Sequence, residues 1–394
     1  MHAVALFSIL FFTLFSFAYA LPIGHGHVHR RDHHNVKVHK RTSCPRHVST
    51  SAAASETAAA SAPSVQVAAA KKGKDATSTS TSSAPKATSS SKSNSTSSSD
   101  DDAPSGGSSV EQMLFPKGRG SSSWTTASDL SGAIPLSDAT FRPTKLIKSL
   151  SHTYMQSPGP DSKLSMQAKY PEGSWTYDHD PAGGLSFYAP GPEDVDLSTA
   201  KEVTFGYAIM FENDFEWKKG GKIPGLYGGD NDEVAASCSG GRRDARCFST
   251  RMMWREDGAG ELYTYLPPSD QPQFAANKVQ CNVAPKSECN PEYGSSVGRG
   301  SFTFKAGEWN YVAQRVLLND VDKGQPQANG EMQLWFNGES VINVDKVIIR
   351  ANEAGAVRGI QMQTFFGGHT SDYASPKDQE TYFTDFSMAI TQKK

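Results

Sequence analysis

Residues 331–345 have the sequence Glu-Met-Gln-Leu-Trp-Phe-Asn-Gly-Glu-Ser-Val-Ile-Asn-Val-Asp, in which Met332, Leu334 and Phe336 recur at every second position before Asn337-Gly338, and Val341, Asn343 and Asp345 follow at the same spacing. Alternation with a period of two is typical of a β-strand that buries one face. The Asn-Gly pair favours the two-residue turn that joins antiparallel strands. This stretch therefore predicts a β-hairpin.

The same alternation recurs through the later part of the chain, beginning with Val203, Phe205, Tyr207 and Ile209. No long helical pattern interrupts it. Many strands joined by Gly-rich and Asn-rich turns predict an all-β fold: a two-sheet antiparallel β-sandwich, of the jelly-roll type, with one concave sheet free to bind a ligand. Further strands are predicted over residues 248–255, 262–266, 301–304, 309–318, 359–366 and 382–390.

Composition divides the 394 residues into four segments. An apolar run and Ala18-Tyr19-Ala20 predict a signal peptide over 1–20, and no other stretch is apolar enough to anchor the chain in a membrane. Histidines and dibasic pairs over 21–47 indicate a pro-segment. Ser, Thr and Ala dominate 48–109, which predicts a disordered linker with one glycosylation triplet at Asn94. The folded domain is predicted over 110–394, and we expect a secreted protein.

The charge of the predicted domain argues against a nucleic-acid partner. From Val110 onward, 28 Lys plus Arg face 35 Asp plus Glu, a net charge of −7. Nucleic-acid binding requires a basic surface to neutralise phosphates. We therefore expect neither a nucleic acid nor a membrane as partner, and a monomer in solution.

Four cysteines in the predicted domain fall into two close pairs. Cys238 and Cys247 bound a Gly-rich and Arg-rich loop, and Cys281 and Cys289 bound a second loop. Exported proteins form disulfides, and this spacing favours local pairing among the three possible connectivities. A four-thiolate zinc site is the alternative, but the C-x-x-C spacing of such sites is missing. We expect no metal and no cofactor.

Two segments contain residues suited to chemistry. Lys222 lies in the run Gly-Gly-Lys-Ile-Pro-Gly-Leu-Tyr-Gly-Gly (220–229). Such glycines often form turns, yet a lysine in so constrained a backbone could present its ammonium to an anion. On the predicted strand 248–255, Ser249, Arg251 and Arg255 share one face, and Tyr263 and Tyr265 share one face of the next strand. A hairpin of these strands places an arginine beside two tyrosines, although ordinary packing would also explain these residues.

Five motifs in the same order across about residues 200–390 resemble polysaccharide lyase family 14, particularly its secreted fungal branch. They are Gly-Lys-Ile-Pro-Gly-Leu-Tyr-Gly-Gly (221–229), Phe248-Ser-Thr-Arg251, Tyr263-x-Tyr265, Gly298-Arg-Gly-Ser-Phe302 and Thr364-Phe-Phe-Gly-Gly368. The resemblance implies a β-jelly-roll enzyme that cuts alginate or glucuronate polymers by β-elimination. It also implies functional roles for Lys222, Ser249, Arg251, Tyr263 and Tyr265.

The residue types suit an elimination from an acidic polysaccharide. This reaction needs a group to neutralise the C6 carboxylate, a base for the C5 proton and an acid for the departing O4 oxygen. We expect Arg251 to neutralise the C6 carboxylate. Lys222, Tyr263 and Tyr265 are expected to complete the catalytic set. Reference pKa values of about 10 for lysine and tyrosine predict activity that rises above neutral pH.

We expect four further residues to contact the substrate: Ser249, Arg255, Tyr227 and His369. The alternative function is that of a noncatalytic carbohydrate-binding or cell-wall-associated protein, because the same concave sheet can hold glycans and a fold does not determine function. A glycoside hydrolase is disfavoured, since no Glu-x-Asp-x-Glu strand pattern supplies its two carboxylates.

Overall fold

The computed structural model of the chain describes residues 109–394. The predictions for residues 1–20 and 21–47, and all but the last residue of the linker predicted over 48–109, lie outside the described residues. The first helix begins at the predicted domain boundary. The Ser109 hydroxyl accepts the backbone N–H of Gln112, whose side chain accepts the backbone N–H of Ser109 in return. This capping box starts the helix at Val110.

The described residues form short helices and many strands. The α-helices are α1 (Val110–Leu114), α2 (Asp138–Phe141) and α3 (Asp232–Ala235). The strands are β1 (Ser122–Thr125), β2 (Thr153–Gln156), β3 (Leu164–Tyr170), β4 (Leu185–Ala189), β5 (Ala200–Phe211), β6 (Gly221–Gly229), β7 (Cys247–Trp254), β8 (Gly260–Tyr265), β9 (Ser295–Val297), β10 (Trp309–Leu317), β11 (Val321–Asp322), β12 (Gln325–Pro326), β13 (Gly330–Phe336), β14 (Glu339–Val347), β15 (Ala356–Phe366) and β16 (Gln379–Lys393). Four 3₁₀ segments span Leu197–Thr199, Glu256–Gly258, Pro272–Asn282 and Ser371–Tyr373.

The strands form two main antiparallel sheets. The eight-stranded sheet has the order β14-β13-β10-β5-β16-β3-β2, with β1 also paired to β16. The six-stranded sheet has the order β4-β15-β6-β7-β8-β9, and β11 pairs only with β12. Within residues 109–394, no helix has the length and apolarity needed to cross a membrane.

An apolar core lies between the two main sheets. Phe205 and Ile209 of β5 and Met252 and Trp254 of β7 are all fully buried and belong to one contiguous cluster. Burial of each such side chain contributes roughly 1.5–3 kcal/mol to folding. Two antiparallel sheets around one core make a β-sandwich of the jelly-roll type, so the predicted fold class is confirmed.

The hairpin predicted from residues 331–345 is confirmed as β13 and β14. Asn337 has φ 48° and Gly338 has φ 88°. Two successive positive φ angles define the turn that matches the right-handed twist of the flanking strands, and Asn-Gly tolerates both angles. The turn therefore fixes which residues of the two strands face the core.

The prediction of a strand over residues 301–304 is wrong. The segment makes a single bridge, between Thr303 and Ala259, and belongs to none of the sheets. Gly298 and Gly300 before it have φ 64° and 85°, so the backbone turns instead of extending. The alternating aromatic residues are nevertheless buried, because the loop itself packs onto the core.

The Gly-rich run at residues 221–229 forms a strand, β6, in the middle of the six-stranded sheet. A Cβ on Gly221 would lie 2.1 Å from the Trp254 ring, so only glycine fits there. Pro224 lies where the pairing between β6 and β7 shifts register. Regular hydrogen bonding between the strands is already interrupted at this register shift, so the missing N–H of proline is tolerated there.

Candidate active site

The face of the six-stranded sheet that points away from the core is the floor of an open cleft of about 630 Å³. Successive strand side chains point to opposite sides of a sheet, so alternate residues of four neighbouring strands reach this cleft. They are Lys222 of β6, Arg251 and Met253 of β7, Tyr263 and Tyr265 of β8, and Gln363 and Phe365 of β15. The structure therefore brings together the four residues predicted to be catalytic.

Arg251 is a buried cation whose charge is not compensated. Its residue exposure is 1%, and its Nη1 donates a hydrogen bond of 3.0 Å to Oε1 of Gln363. Its Nε has no hydrogen-bond partner among residues 109–394, and no ion pair of that region involves it. Arginine is almost never fully buried unless it is paired. Its unused N–H groups indicate a site for an anionic ligand.

Lys222 is half-buried beside Tyr263, with Nζ 4.6 Å from the centroid of the tyrosine ring. No carboxylate of the described part of the chain forms an ion pair with it. Burial lowers the pKa of Lys222 well below its ordinary value, and the charges of Arg251 and Arg255 lower this pKa further. The neutral amine is therefore populated at a lower pH than in an exposed lysine.

Tyr263 and Tyr265 lie edge to face on β8, with their ring centroids 5.9 Å apart. The Tyr265 hydroxyl accepts the backbone N–H of Gly241 at 3.0 Å, and the Tyr263 hydroxyl accepts that of Gly294 at 3.2 Å. Burial raises the pKa of Tyr263, and the neighbouring Tyr265 raises it further. The Tyr263 hydroxyl therefore keeps its proton through the neutral pH range.

Arg255 also lines the cleft, but its charge is compensated. Its Nη2 lies 2.5 Å from Oε1 of Glu261, a fully buried carboxylate that also accepts Nε of Arg299 at 2.7 Å. Burial would raise the pKa of Glu261, but the charge and hydrogen bond of Arg255 and the charge of Arg299 hold this pKa below its usual value. Substrate contact by Arg255 stays a prediction.

Two residues predicted to bind substrate lie outside the residues that line the cleft. The Ser249 hydroxyl donates to the backbone oxygen of Cys238 at 2.8 Å. The Tyr227 ring packs edge to face on Tyr188, 4.8 Å between centroids. Each side chain is buried and held by a neighbouring segment, and substrate contact by Ser249 and Tyr227 stays a prediction.

His369 lies in the cleft lining as expected. Its exposed ring stacks on Tyr293, with centroids 5.1 Å apart and an angle of 10° between the planes. The flat pair forms part of the cleft wall, and substrate contact by His369 stays a prediction.

The predicted local pairing of the cysteines is confirmed. Disulfides join Cys238 to Cys247 and Cys281 to Cys289. Both closed loops reach the cleft, the first through Arg242 and its neighbours and the second through Glu288. Within residues 109–394, no group of three His, Cys, Asp or Glu is placed to hold a metal ion.

Cations outnumber carboxylates in the cleft lining. Among residues 109–394, the acidic residues of the lining are Asp178 and Glu288, and the buried Glu261 outside the lining pairs with Arg255 and Arg299. A cleft with this balance attracts a polyanion even though the domain as a whole is acidic. The five cationic residues are Lys222, Arg242, Arg251, Arg255 and Arg299.

Gln363 is a site residue that the sequence analysis missed. Its Oε1 accepts both Arg251 Nη1 and Gln361 Nε2, and its own Nε2 donates to the Ser186 hydroxyl at 2.9 Å. This network fixes Gln363, the side-chain partner of the buried guanidinium among residues 109–394. A signal was present, because two glutamines at a spacing of two interrupt an otherwise apolar strand at 359–366.

A wall formed by residues 175–179 was also missed. Trp175 stacks on His179 with centroids 3.7 Å apart, and Thr176 hydrogen-bonds His179 Nδ1 at 2.6 Å. The segment lies in a loop without periodicity, so nothing in the sequence placed it near Lys222. It adds a second flat ring surface to the cleft.

The jelly-roll fold and this cleft, with an uncompensated arginine, a lysine and two tyrosines on one sheet, define a polysaccharide lyase. The family model Polysaccharide lyase 14 matches residues 159–386, more than half of the chain. The chain therefore belongs to this family, as the motif resemblance predicted. A comparison with curated proteins finds no match.

Solved structures of alginate lyases are similar to this chain. The PL-14 alginate lyase from Aplysia kurodai is 32% identical, with a TM-score of 0.51, over 60% of this chain and 87% of that protein. Alginate lyase vAL-1 from Chlorella virus is 24% identical, with a TM-score of 0.50, over 65% of this chain and 93% of that protein. The second likeness supports the fold.

Proposed function

We propose that the protein is secreted and cleaves a uronic-acid polysaccharide of the alginate or glucuronan type by β-elimination. The observation that carries this proposal is Arg251, a buried guanidinium with unused N–H groups at the floor of a cleft. The planar fork of arginine matches a carboxylate with two parallel hydrogen bonds. Each sugar of a polyuronate supplies such a carboxylate.

The surroundings of Arg251 support an acidic polymer as substrate. The cleft lining of the described residues holds five cationic residues against two acidic ones, and three of the five, Lys222, Arg242 and Arg251, form no ion pair there. The similar protein from Aplysia kurodai is an alginate lyase, which supports alginate as the first polymer to test.

In the proposed reaction, Arg251 binds the C6 carboxylate and stabilises the negative charge that develops there as the C5 proton leaves. The electron pair of the C5–H bond forms the C4=C5 double bond. The C4–O4 bond breaks, and O4 departs with its electron pair and takes up a proton. One chain thus becomes two, one of which ends in an unsaturated uronate.

The pKa directions divide the proton transfers between Lys222 and the tyrosines. The lowered pKa of Lys222 makes its neutral amine available to take the C5 proton. The raised pKa of Tyr263 keeps its hydroxyl protonated, which suits a donor to O4 better than a base. Tyr265 lies beside it and shares this side of the cleft.

Export is supported by two independent features. The apolar run and small residues over 1–20 have the form of a signal peptide. The two disulfides fit an oxidising compartment, since cytosolic proteins rarely hold structural disulfides. Both features support the proposed extracellular or cell-wall location, where polysaccharide is accessible.

The test is the ultraviolet absorbance of the unsaturated uronate after the full chain is mixed with separate polymers. Polymannuronate, polyguluronate and glucuronan are the substrates, and an uncharged β-1,4-glucan is the control. We expect absorbance to rise with at least one polyuronate and to stay flat with the glucan.

The alternative, a noncatalytic carbohydrate-binding protein, makes a different prediction. If no polyuronate gives a rise in ultraviolet absorbance, but the protein is retarded in gels that contain one of these polymers, the binding protein would be favoured. A new reducing end without any ultraviolet absorbance would indicate hydrolysis instead, and would also contradict the proposed elimination.

A further inference from the structure

Two regions stabilised by disulfides contact β8, the strand that holds both active-site tyrosines. The first loop runs from Cys238 to Cys247. The second runs from Cys281 to Cys289, and the segment that follows it continues along the same edge. Each of these two regions donates one hydrogen bond to a tyrosine hydroxyl. The first region contacts Tyr265 and the second contacts Tyr263.

In the first contact, the backbone N–H of Gly241 donates to the Tyr265 hydroxyl at 3.0 Å. Gly241 has φ 83°, a conformation that favours glycine, so the loop turns sharply at the contact. The start of the loop is held from below, because the Ser249 hydroxyl donates to the backbone oxygen of Cys238. The disulfide closes the other end onto β7.

In the second contact, the backbone N–H of Gly294 donates to the Tyr263 hydroxyl at 3.2 Å. A Cβ on Gly294 would lie 2.7 Å from ring atoms of both Tyr263 and Tyr265, so only glycine allows this approach. Reciprocal backbone hydrogen bonds of 2.8 and 2.9 Å between Glu288 and Ser296 tie this segment to the second loop.

The two regions also support each other. Nη1 of Arg243, in the first loop, donates to the backbone oxygen of Pro291 at 2.7 Å. The Asn290 side chain accepts the backbone N–H groups of Glu292 and Tyr293, which shapes the turn just before Gly294. The amides that reach the tyrosines are therefore fixed by contacts independent of the tyrosines.

A phenol that accepts a backbone N–H has defined chemistry. Its oxygen lone pair is occupied by a fixed donor, so its own O–H proton is free to point toward a ligand. The same N–H stabilises the phenolate that remains after the proton is donated. Both effects favour proton donation from a hydroxyl held in one orientation.

We propose that the Cys238–Cys247 loop and the segment 290–296, which the Cys281–Cys289 loop holds in place, are positioning elements for catalysis, each fixing one active-site tyrosine through a backbone amide. Gly241 positions Tyr265, and Gly294 positions Tyr263. The inference rests on the proposed function, because it assigns the loops a role in proton transfer by these tyrosines.

Amide hydrogen exchange on the full chain tests the two contacts without any assay of activity. In Tyr265→Phe, we expect exchange in peptides over residues 238–247 to become roughly 3- to 10-fold faster, the factor for loss of one hydrogen bond. Peptides over 290–296 should be unchanged, and Tyr263→Phe should give the reverse pattern. Each variant is the control for the other, and equal effects of both on both segments would overturn the pairing.

Steady-state kinetics tests the catalytic consequence. Opening the first loop with Cys238→Ser and Cys247→Ser is expected to lower kcat by roughly 10- to 100-fold, the cost of a misplaced catalytic group, with little change in KM. When the same two cysteine substitutions are combined with Tyr265→Phe, kcat should fall little below that of Tyr265→Phe alone. Both changes remove the same hydrogen bond, between Gly241 and Tyr265. The Cys281→Ser and Cys289→Ser pair should behave likewise with Tyr263→Phe.

Two outcomes would overturn the proposal: an unchanged kcat after either loop is opened, or losses that multiply fully with those of the matching tyrosine variant. The second outcome would mean that the loops only stabilise the fold. If the native chain cleaves no polyuronate at all, the proposed function fails, while the exchange experiment still decides whether the loops hold the tyrosines.

Discussion

Two lysines, one at each sheet of the sandwich, occupy opposite electrostatic surroundings. Lys163, just before β3 of the eight-stranded sheet, lies 2.6 Å from Oδ2 of Asp385. Burial alone would lower its pKa, but the hydrogen bond and charge of Asp385 raise this pKa above the ordinary value. Lys222, on the six-stranded sheet, has no such carboxylate among the described residues, and its pKa is lowered.

Two arginines repeat this contrast. Arg315 on β10 lies 2.5 Å from Glu202 and 2.7 Å from Glu331. Arg251 on β7 is more deeply buried, yet its side-chain hydrogen-bond partner within residues 109–394 is the neutral Gln363. On one sheet the cations are neutralised by the protein itself. On the six-stranded sheet, Arg255 is paired with Glu261, but the charge of Arg251 is left for a ligand and the amine of Lys222 has no carboxylate partner, at some cost in stability.

The largest expected effect distinguishes the two lysines. Lys222→Met should lower kcat by roughly 1,000-fold, because it removes the base for the C5 proton. Lys163→Met should leave kcat unchanged but lower the free energy of unfolding by about 3 kcal/mol, since it leaves Asp385 without its partner. Initial rates and urea denaturation measure the two quantities. A similar loss of activity in both variants would remove the distinction between the sheets.

The arginines should separate in the same way. Arg251→Met is expected to lower kcat/KM by roughly 100- to 1,000-fold. The same change should raise the free energy of unfolding by about 1 kcal/mol or more, because an uncompensated buried charge is removed. Arg315→Met should keep activity and lose stability. If Arg251→Met were destabilised as much as Arg315→Met, its role would be structural.

A smaller effect is expected from the neutral partner of Arg251. Gln363→Leu should lower kcat/KM about 10-fold, because the guanidinium loses the hydrogen bond that orients it. Gln333→Leu, on β13 of the other sheet, is the matched control and should leave the rate unchanged. Equal rates for the two variants would show that Arg251 is oriented without Gln363.

The smallest effect concerns pH. Activity needs the neutral amine of Lys222, so the rate should rise with pH through a pKa well below 10.5, at lower pH than reference values predict. Arg255 lowers this pKa, so Arg255→Gln should raise it and move the acid limb of the kcat profile to higher pH, by less than about one unit. The control variant Arg315→Gln should leave the pH profile of kcat unchanged. A shift of the acid limb to lower pH in Arg255→Gln would contradict the assignment of Lys222 as base.

Local patterns in the sequence predicted what depends on neighbours in the chain. Alternation located β5 and β13, and the short loop between Cys238 and Cys247 predicted their pairing. The prediction of a strand at 301–304 was wrong, because alternating aromatic residues are equally compatible with a loop that packs on the core. Gln363 could not be predicted as the partner of Arg251, since 112 residues separate them and only the sheet order brings β15 near β7.

The glycines of β6 have a consequence for genetic variation. A Cβ on Gly225 would lie 2.5 Å from the Cα of Arg251, and one on Gly228 would lie 2.4 Å from the Phe248 ring. Neither glycine offers a side chain to a substrate, yet any replacement pushes apart the strands that hold Lys222 and Arg251. In a saturation mutagenesis library selected for activity, these codons should tolerate as few alternatives as the catalytic positions do.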